Sequence, residues 1–189
     1  MESIRELFHT GRGPSSSHTI APLRAARIFK KRYPHAAIYR VTLYGSLAAT
    51  GKGHLTDIAL IDAFSPVPVE IEWNREEALP AHPNGMLFKA VDSQGEITGS
   101  MQAYSIGGGA LREEGVSYEP IRVYDKDSMR DILEDCERSG ISLWEYVEKQ
   151  EGQDIWNFLH DVWHSMLAMI EKGLQTEGIL PGVLSLTRR

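Results

Sequence analysis

From residue 20 onward the apolar positions Ile20, Leu23, Ala26 and Phe29, with Ile28 beside the last, recur at helical spacing until Pro34 ends the run. Pro22 is compatible with that helix, because first-turn amides have no intrahelical acceptor to lose. Tyr39, Val41 and Leu43 then alternate with Arg40 and Thr42, the period of a strand. Val67, Val69, Ile71 and Trp73 alternate with Glu70 and Glu72 in a second strand, and Pro68, which cannot donate to a ladder, marks it as an edge. Residues 86–91, 97–105 and 121–124 read as further strands, punctuated by Asp92-Ser93-Gln94-Gly95 and Gly107-Gly108-Gly109.

Near Asp125 the period changes. Met129, Ile132, Leu133 and Cys136 form one helical stripe, and Ser142 with Glu145 forms a capping box for the next helix. Ile155, Phe158, Leu159, Val162, Met166, Met169 and Ile170 mark a long amphipathic helix ending near Gly173 or Gly178, with Trp156 and Trp163 adding bulk. The expectation is an α/β (α+β) sandwich over 1–126, a mixed sheet with helices, followed by a helical C-terminal extension over 127–189. The last helix has more apolar face than so small a domain needs. It is expected to pack on something outside this chain, the alternative being that it folds back on its own domain.

Composition narrows the class. A chain of 189 residues with 42% hydrophobic and 24% charged residues is an ordinary globular protein. The formal charge of −6, with Lys and Arg scattered, argues against a nucleic-acid partner. No apolar run is long enough to span a bilayer, and Met1–Phe8 is charged where a signal peptide has an apolar core. The single cysteine, Cys136, excludes an internal disulfide framework and suits a reducing cytoplasm. One thiol also cannot hold an iron–sulfur cluster, which needs several thiolates.

Two segments carry candidate chemistry. Ser15, Ser16, Ser17, His18 and Thr19 precede the first helix, where hydroxyls, an imidazole and free helix amides make a carboxylate or phosphate cradle. The alternative is a helix cap with spare serines. In Thr50-Gly51-Lys52-Gly53-His54-Leu55-Thr56-Asp57 the glycines let backbone approach a ligand, Lys52 supplies charge and His54 can transfer a proton. Its spacing is wrong for a nucleotide phosphate loop, and the alternative is a tight loop with Thr56 or Asp57 as helix cap. Tyr104-Ser105-Ile106-Gly107-Gly108-Gly109 is a backbone nest or a turn. His82-Pro83-Asn84-Gly85 reads as a turn, with Asn84-Gly85 typical of a hairpin. His160 and His164, one helical turn apart, lack a third ligand and read as a solvated or interface face.

Taken together and in order, GPSSSHT, SLAATGKGHLTD, HPNGM and YSIGGG resemble the β domain of iron–sulfur-dependent L-serine dehydratases. DIWNFLHDVWHSMLAMIEKGL followed by LPGVL resembles the segment joining that domain to the cluster-binding α domain, which implies that 127–189 is a helical linker and the incomplete start of the α domain. The resemblance implies deamination of L-serine to pyruvate and ammonia, in amino-acid degradation and gluconeogenesis. It implies a [4Fe–4S] cluster whose open iron acts as a Lewis acid on the substrate hydroxyl, with its ligands in the α domain or α subunit rather than in this chain. It implies a domain like an allosteric substrate-binding domain, a homodimer, and no metal ligand here. On this resemblance Ser15, Ser16, Ser17 and Thr19, with Lys52, Thr56 and Asp57, contact substrate, and His18 or His54 moves the proton. Asp57 would orient a histidine or bind the ammonium. Ala21 and Leu23 stand where the family commonly has Gly and Met, which are small packing changes. The competing expectation is a regulatory or dimerisation module that binds a small metabolite.

Overall fold

The alternation at 39–43 becomes the strand β1 (Ile38–Tyr44), with Tyr39, Val41 and Leu43 buried and Arg40 exposed. β2 (Val69–Asn74) runs parallel to it and lies at the sheet edge, as its proline predicts. β3 (Gly85–Val91) pairs antiparallel on the other side of β1, followed by β4 (Ile97–Gly107) and the short β5 (Ala110–Glu113), giving the order β2-β1-β3-β4-β5. This computed structural model describes residues 1–117, 121–179 and 186–188. The chain divides into two compact units, His9–Tyr118, and Met1–Phe8 together with Glu119–Arg189.

In the first unit, helices α1 (Ala21–Arg32) and α3 (Thr56–Phe64) cover one face of this mixed sheet, with a short α2 (Gly45–Thr50) between β1 and α3. The result is the expected α+β sandwich. The core is built on rings: Tyr39 stacks on Phe64 at 4.2 Å, and Phe29 lies 5.6 Å from Phe88. The Tyr39 hydroxyl donates to the Tyr33 carbonyl at 2.6 Å, so burying the phenol leaves no orphaned donor. The other face is polar. Arg40 meets Glu70 at 2.7 Å and Thr42 donates to Glu72 at 2.8 Å across the β1–β2 pair, with Lys89 alongside.

In the second unit Ser3 caps a single 3-10 turn (Ile4–Leu7), and Glu151 accepts hydrogen bonds from the Ser3 hydroxyl and the Ile4 amide. Helices α4 (Met129–Ser139) and α5 (Leu143–Glu151) enclose a small core of Tyr124, Ile132, Cys136 and Tyr146. Cys136 is thus a buried packing residue. The capping box at Ser142 and Glu145 forms as expected. The long helix α6 (Ile155–Gln175) runs straight through Gly173, since a glycine weakens a helix without stopping it. A two-residue pair, Gly178–Ile179 with Thr187–Arg188, follows. Among the described residues no helix is long and apolar enough to cross a membrane.

Three expectations change. Residues 121–124 are no strand: the amides of Val123 and Tyr124 both donate to the Met1 carbonyl, a local pairing with no ladder to join. Asn84-Gly85 makes no hairpin, because the strands flanking it, β2 and β3, pair with β1 on opposite sides rather than with each other. Neither Thr56 nor Asp57 caps α3; Leu55 holds the cap position in a left-handed conformation, with no side-chain cap bond. The α2 helix and β5 go beyond the pattern, both too short for periodicity to register.

Replacing Phe64 with Ala removes the ring that stacks on Tyr39, and is expected to lower unfolding stability by about 3–5 kcal/mol in urea titration.

Candidate functional site

At one end of the five-stranded sheet β1 finishes, β3 begins and β4 finishes, as the pairings Leu43 with Met86 and Gly85 with Tyr104 show. The loops leaving these strands are tied together by backbone. The Gly45 amide donates to Glu77, the Ser46 amide to Pro83, and the Ser105 amide to Asn84. Gly45 sits at φ +50° with the Pro83 carbonyl where a side chain would go, so only glycine fits.

Onto this end comes the serine-rich segment. Ser15 accepts the His18 amide at 3.1 Å through its hydroxyl, while its carbonyl accepts the amides of both Thr19 and Ile20. The turn Ser16–Ile20 is therefore wound π-fashion and leads directly into α1. Its widening re-aims the imidazole of His18, whose two ring nitrogens lie 2.9 Å from the Ser17 hydroxyl and 3.2 Å from the Ser46 hydroxyl. Hydroxyls can donate or accept, so they satisfy a neutral ring in either tautomer.

The second segment is folded by close approach. A Cβ on Gly51 would collide with the Leu47 carbonyl and come within 2.7 Å of the Trp73 ring. Four residues later Leu55, at φ +57°, is the single non-glycine residue with positive φ among the described residues. That left-handed residue is strained, and it turns Thr56 back toward the first segment. The Thr56 hydroxyl donates to the His18 carbonyl at 2.5 Å, and the Thr19 hydroxyl donates to the His54 carbonyl at 2.7 Å. Each threonine is fully buried and holds the carbonyl of the histidine on the opposite segment. The rings of His18 and His54 consequently face each other at 4.8 Å.

Burial holds His18 below its ordinary pKa of 6.5; the neighbouring His54 pushes the same way, and the Ser46 backbone opposes them. The ring is thereby kept neutral, and so able to accept a proton, further into the acid range than a free histidine.

Of the residues singled out in the sequence, Ser15, Ser17, His18, Thr19, His54 and Thr56 are brought together. Ser16 is exposed, Lys52 is exposed with its ammonium 5.7 Å from the Trp73 ring, and the Asp57 carboxylate accepts the Ile58 amide on its own helix. Ser46 went unnoticed although it lies within the second motif, because a serine at the start of a short helix carries no chemical signal by itself. Asn84 and Ser105 stand out in the sequence only as parts of a turn and of a nest or turn, not as site residues. At the same sheet end the Asn84 Oδ1 and Ser105 Oγ atoms are buried with no hydrogen-bond partner. Among the described residues no group of three or more His, Cys, Asp and Glu side chains is arranged to hold a metal ion. His160 and His164 hydrogen-bond each other at 2.9 Å on an exposed helix face.

The serine dehydratase beta chain family profile matches residues 3–68 and 63–116, a span that contains every residue of this cluster. The chain belongs to that family. It is 31% identical to an L-serine dehydratase of Streptomyces coelicolor over 99% of its own length and 53% of that protein's. It is 33% identical to one from Escherichia coli (100% and 53%) and 30% identical to one from Helicobacter pylori (98% and 52%). The chain therefore spans about half the length of the curated relatives it matches. The two profile matches meet at 63–68, where this serine dehydratase beta chain passes from α3 to β2 by a short turn.

Two outcomes test the site. Thr56→Val leaves the His18 carbonyl without its hydroxyl donor and should destabilise the fold by about 1–3 kcal/mol, read from the urea midpoint. For His18, a lowered folded pKa means that the unfolded chain binds more protons below 6.5, so stability falls as pH drops through that region. His18→Gln should therefore lose less stability than the parent between about pH 7.5 and 5.5; an equal loss would contradict the burial of the ring.

Proposed function

We propose that this chain is the β portion of an L-serine dehydratase, deaminating L-serine to pyruvate and ammonia together with an α portion that it does not contain. The observation that carries this reading is the reciprocal bonding that holds the His18 and His54 rings 4.8 Å apart beside serine hydroxyls, within the family's matched residues. The names of the relatives support the substrate.

In this reading the hydroxyls of Ser15, Ser16 and Ser17, at the start of the π-wound turn, take the substrate carboxylate, and Thr19 acts through the backbone of His54. Lys52 adds positive charge and Asp57 meets the ammonium or orients a histidine. Thr56 acts through the backbone of His18. His54 or His18 removes the α-proton, the β-hydroxyl leaves as water, and the enamine so formed becomes an imine that water hydrolyses to pyruvate and ammonia. A neutral imidazole is the form this requires, and the environment of His18 favours it.

The [4Fe–4S] cluster expected of the complete enzyme does not fit the residues of this chain. Cys136 is the single thiol and lies buried in the small helical core. The cluster ligands are assigned to the α portion, and the chain alone is inactive. We place the protein in the cytoplasm, in keeping with its single free thiol, and as a homodimer, as the family resemblance implies. A second reading, a regulatory or dimerisation module that binds a small metabolite, is favoured by one observation: hydroxyls outnumber titratable groups around His18.

In the complete enzyme, His54→Asn should reduce pyruvate formation by about 100-fold or more if His54 is the general base; unchanged turnover would remove it from that role. The 189-residue chain by itself should form no pyruvate. Saturable L-serine binding to the chain alone, measured by calorimetry, would favour the binding module.

A further inference from the structure

Helix α6 carries a pair of histidines that the proposed chemistry does not use. His160 and His164 stand one helical turn apart, so the helix period sets their side chains one above the other on the same side. Their Nε2 atoms are 2.9 Å apart and the ring centroids 4.1 Å apart. The rings therefore stand side by side rather than end to end, and one point beside the helix lies within bonding reach of both nitrogens. Both residues are exposed, and His164 lies about 160° around the axis from Met166 of the apolar stripe. The surroundings favour a cation: α6 carries Asp161 and Glu171 against the single cation Lys172, on a chain of formal charge −6.

Bond lengths decide which ion fits. Metal–imidazole bonds of about 2.0–2.1 Å drawn to nitrogens 2.9 Å apart enclose an angle of about 90°. That is the cis angle of a square-planar or tetragonal ion, whereas a tetrahedral ion opens wider and asks for nitrogens further apart. Imidazole nitrogen also suits copper, which heads the order of divalent affinities. Two protein ligands leave the remaining positions to water. The helix compensates in part, because once one imidazole has bound, the other is held at bonding distance. In the hydrogen-bonded pair one Nε2 carries the shared hydrogen. Binding takes that ring into its other tautomer, with the proton on Nδ1, an exchange that solvent permits at an exposed position.

We infer that His160 and His164 form a two-histidine site for a tetragonal divalent metal ion, Cu²⁺ foremost, on the surface of α6. The site uses no residue of the candidate active site, so it stands or falls independently of the dehydratase reading.

Titration of the full 189-residue chain with copper sulfate near neutral pH tests the site. The first equivalent of Cu²⁺ should give a tetragonal electron paramagnetic resonance spectrum with two equatorial nitrogens. His160→Ala and His164→Ala should each weaken that binding by about tenfold or more. The double variant should be little weaker than either single one, because one imidazole alone is no chelate. Circular dichroism without copper should show the parent's helix content in each variant, both positions being exposed; His160→Gln and His164→Gln, which keep polarity and bulk, replace any alanine variant that does not fold. Retention of the parent's affinity in either single variant would overturn the inference. So would a first equivalent that binds elsewhere, for instance at His18 and His54, and is untouched by the double variant.

Discussion

Two hydrogen bonds carry the candidate site. The buried hydroxyls of Thr19 and Thr56 each donate to the main-chain carbonyl beside the opposite histidine. A carbonyl buried without a donor costs far more than a hydrogen bond contributes net, so the two segments are held in register by the penalty of parting them. The 4.8 Å between the imidazoles goes with this pairing, while the π-wound turn is closed by the Ser15 carbonyl accepting the Ile20 amide. A looser pairing would still leave two histidines in a polar loop, but not in a fixed relation to Ser17 and Ser46.

The sheet supplies the other half of the constraint. Its aromatic core anchors α1 and α3, whose N-terminal ends carry the two histidine segments, and the finishing ends of β1 and β4 with the start of β3 bring Ser46, Ser105 and Asn84 to the same place. Strand ends and helix starts leave backbone groups that no ladder or helix satisfies, which is why polar side chains and a ligand can be accommodated there. The helical unit has a different economy. Its core is four buried side chains and a few partly buried ones, and its longest helix leaves its apolar face to solvent. Such a unit gains its full hydrophobic stabilisation only when something further covers that face.

Much of this was legible in residues alone. Alternation at 39–43 and 69–73, helical spacing at 20–29 and 155–170, and the capping box at Ser142 all report side chains whose burial repeats with the local backbone period. The site was legible in part. The residues of the two histidine segments stand out by type, and four motifs in order resemble one family. The pairing of threonine with the far carbonyl does not stand out, because 35 and 38 residues separate the partners and neither threonine has a local signature. The capping role expected of Thr56 was reasonable by propensity, and it lost to a tertiary acceptor that satisfies a buried carbonyl instead.

The amino-acid sequence by itself determined the sandwich class, the polar edge strand, the helical character beyond residue 125 and the family, since these rest on local periodicity and on motif order. Only the tertiary structure decided that Ser46 completes the surroundings of His18, that the Lys52 ammonium lies 5.7 Å from the Trp73 ring and the Asp57 carboxylate accepts the Ile58 amide, and that residues 121–124 are not a strand. Those outcomes depend on which buried donors and acceptors find each other across long stretches of chain. That is a property of the packed whole, where every unpaired buried group is costly, and no window of neighbouring residues contains it.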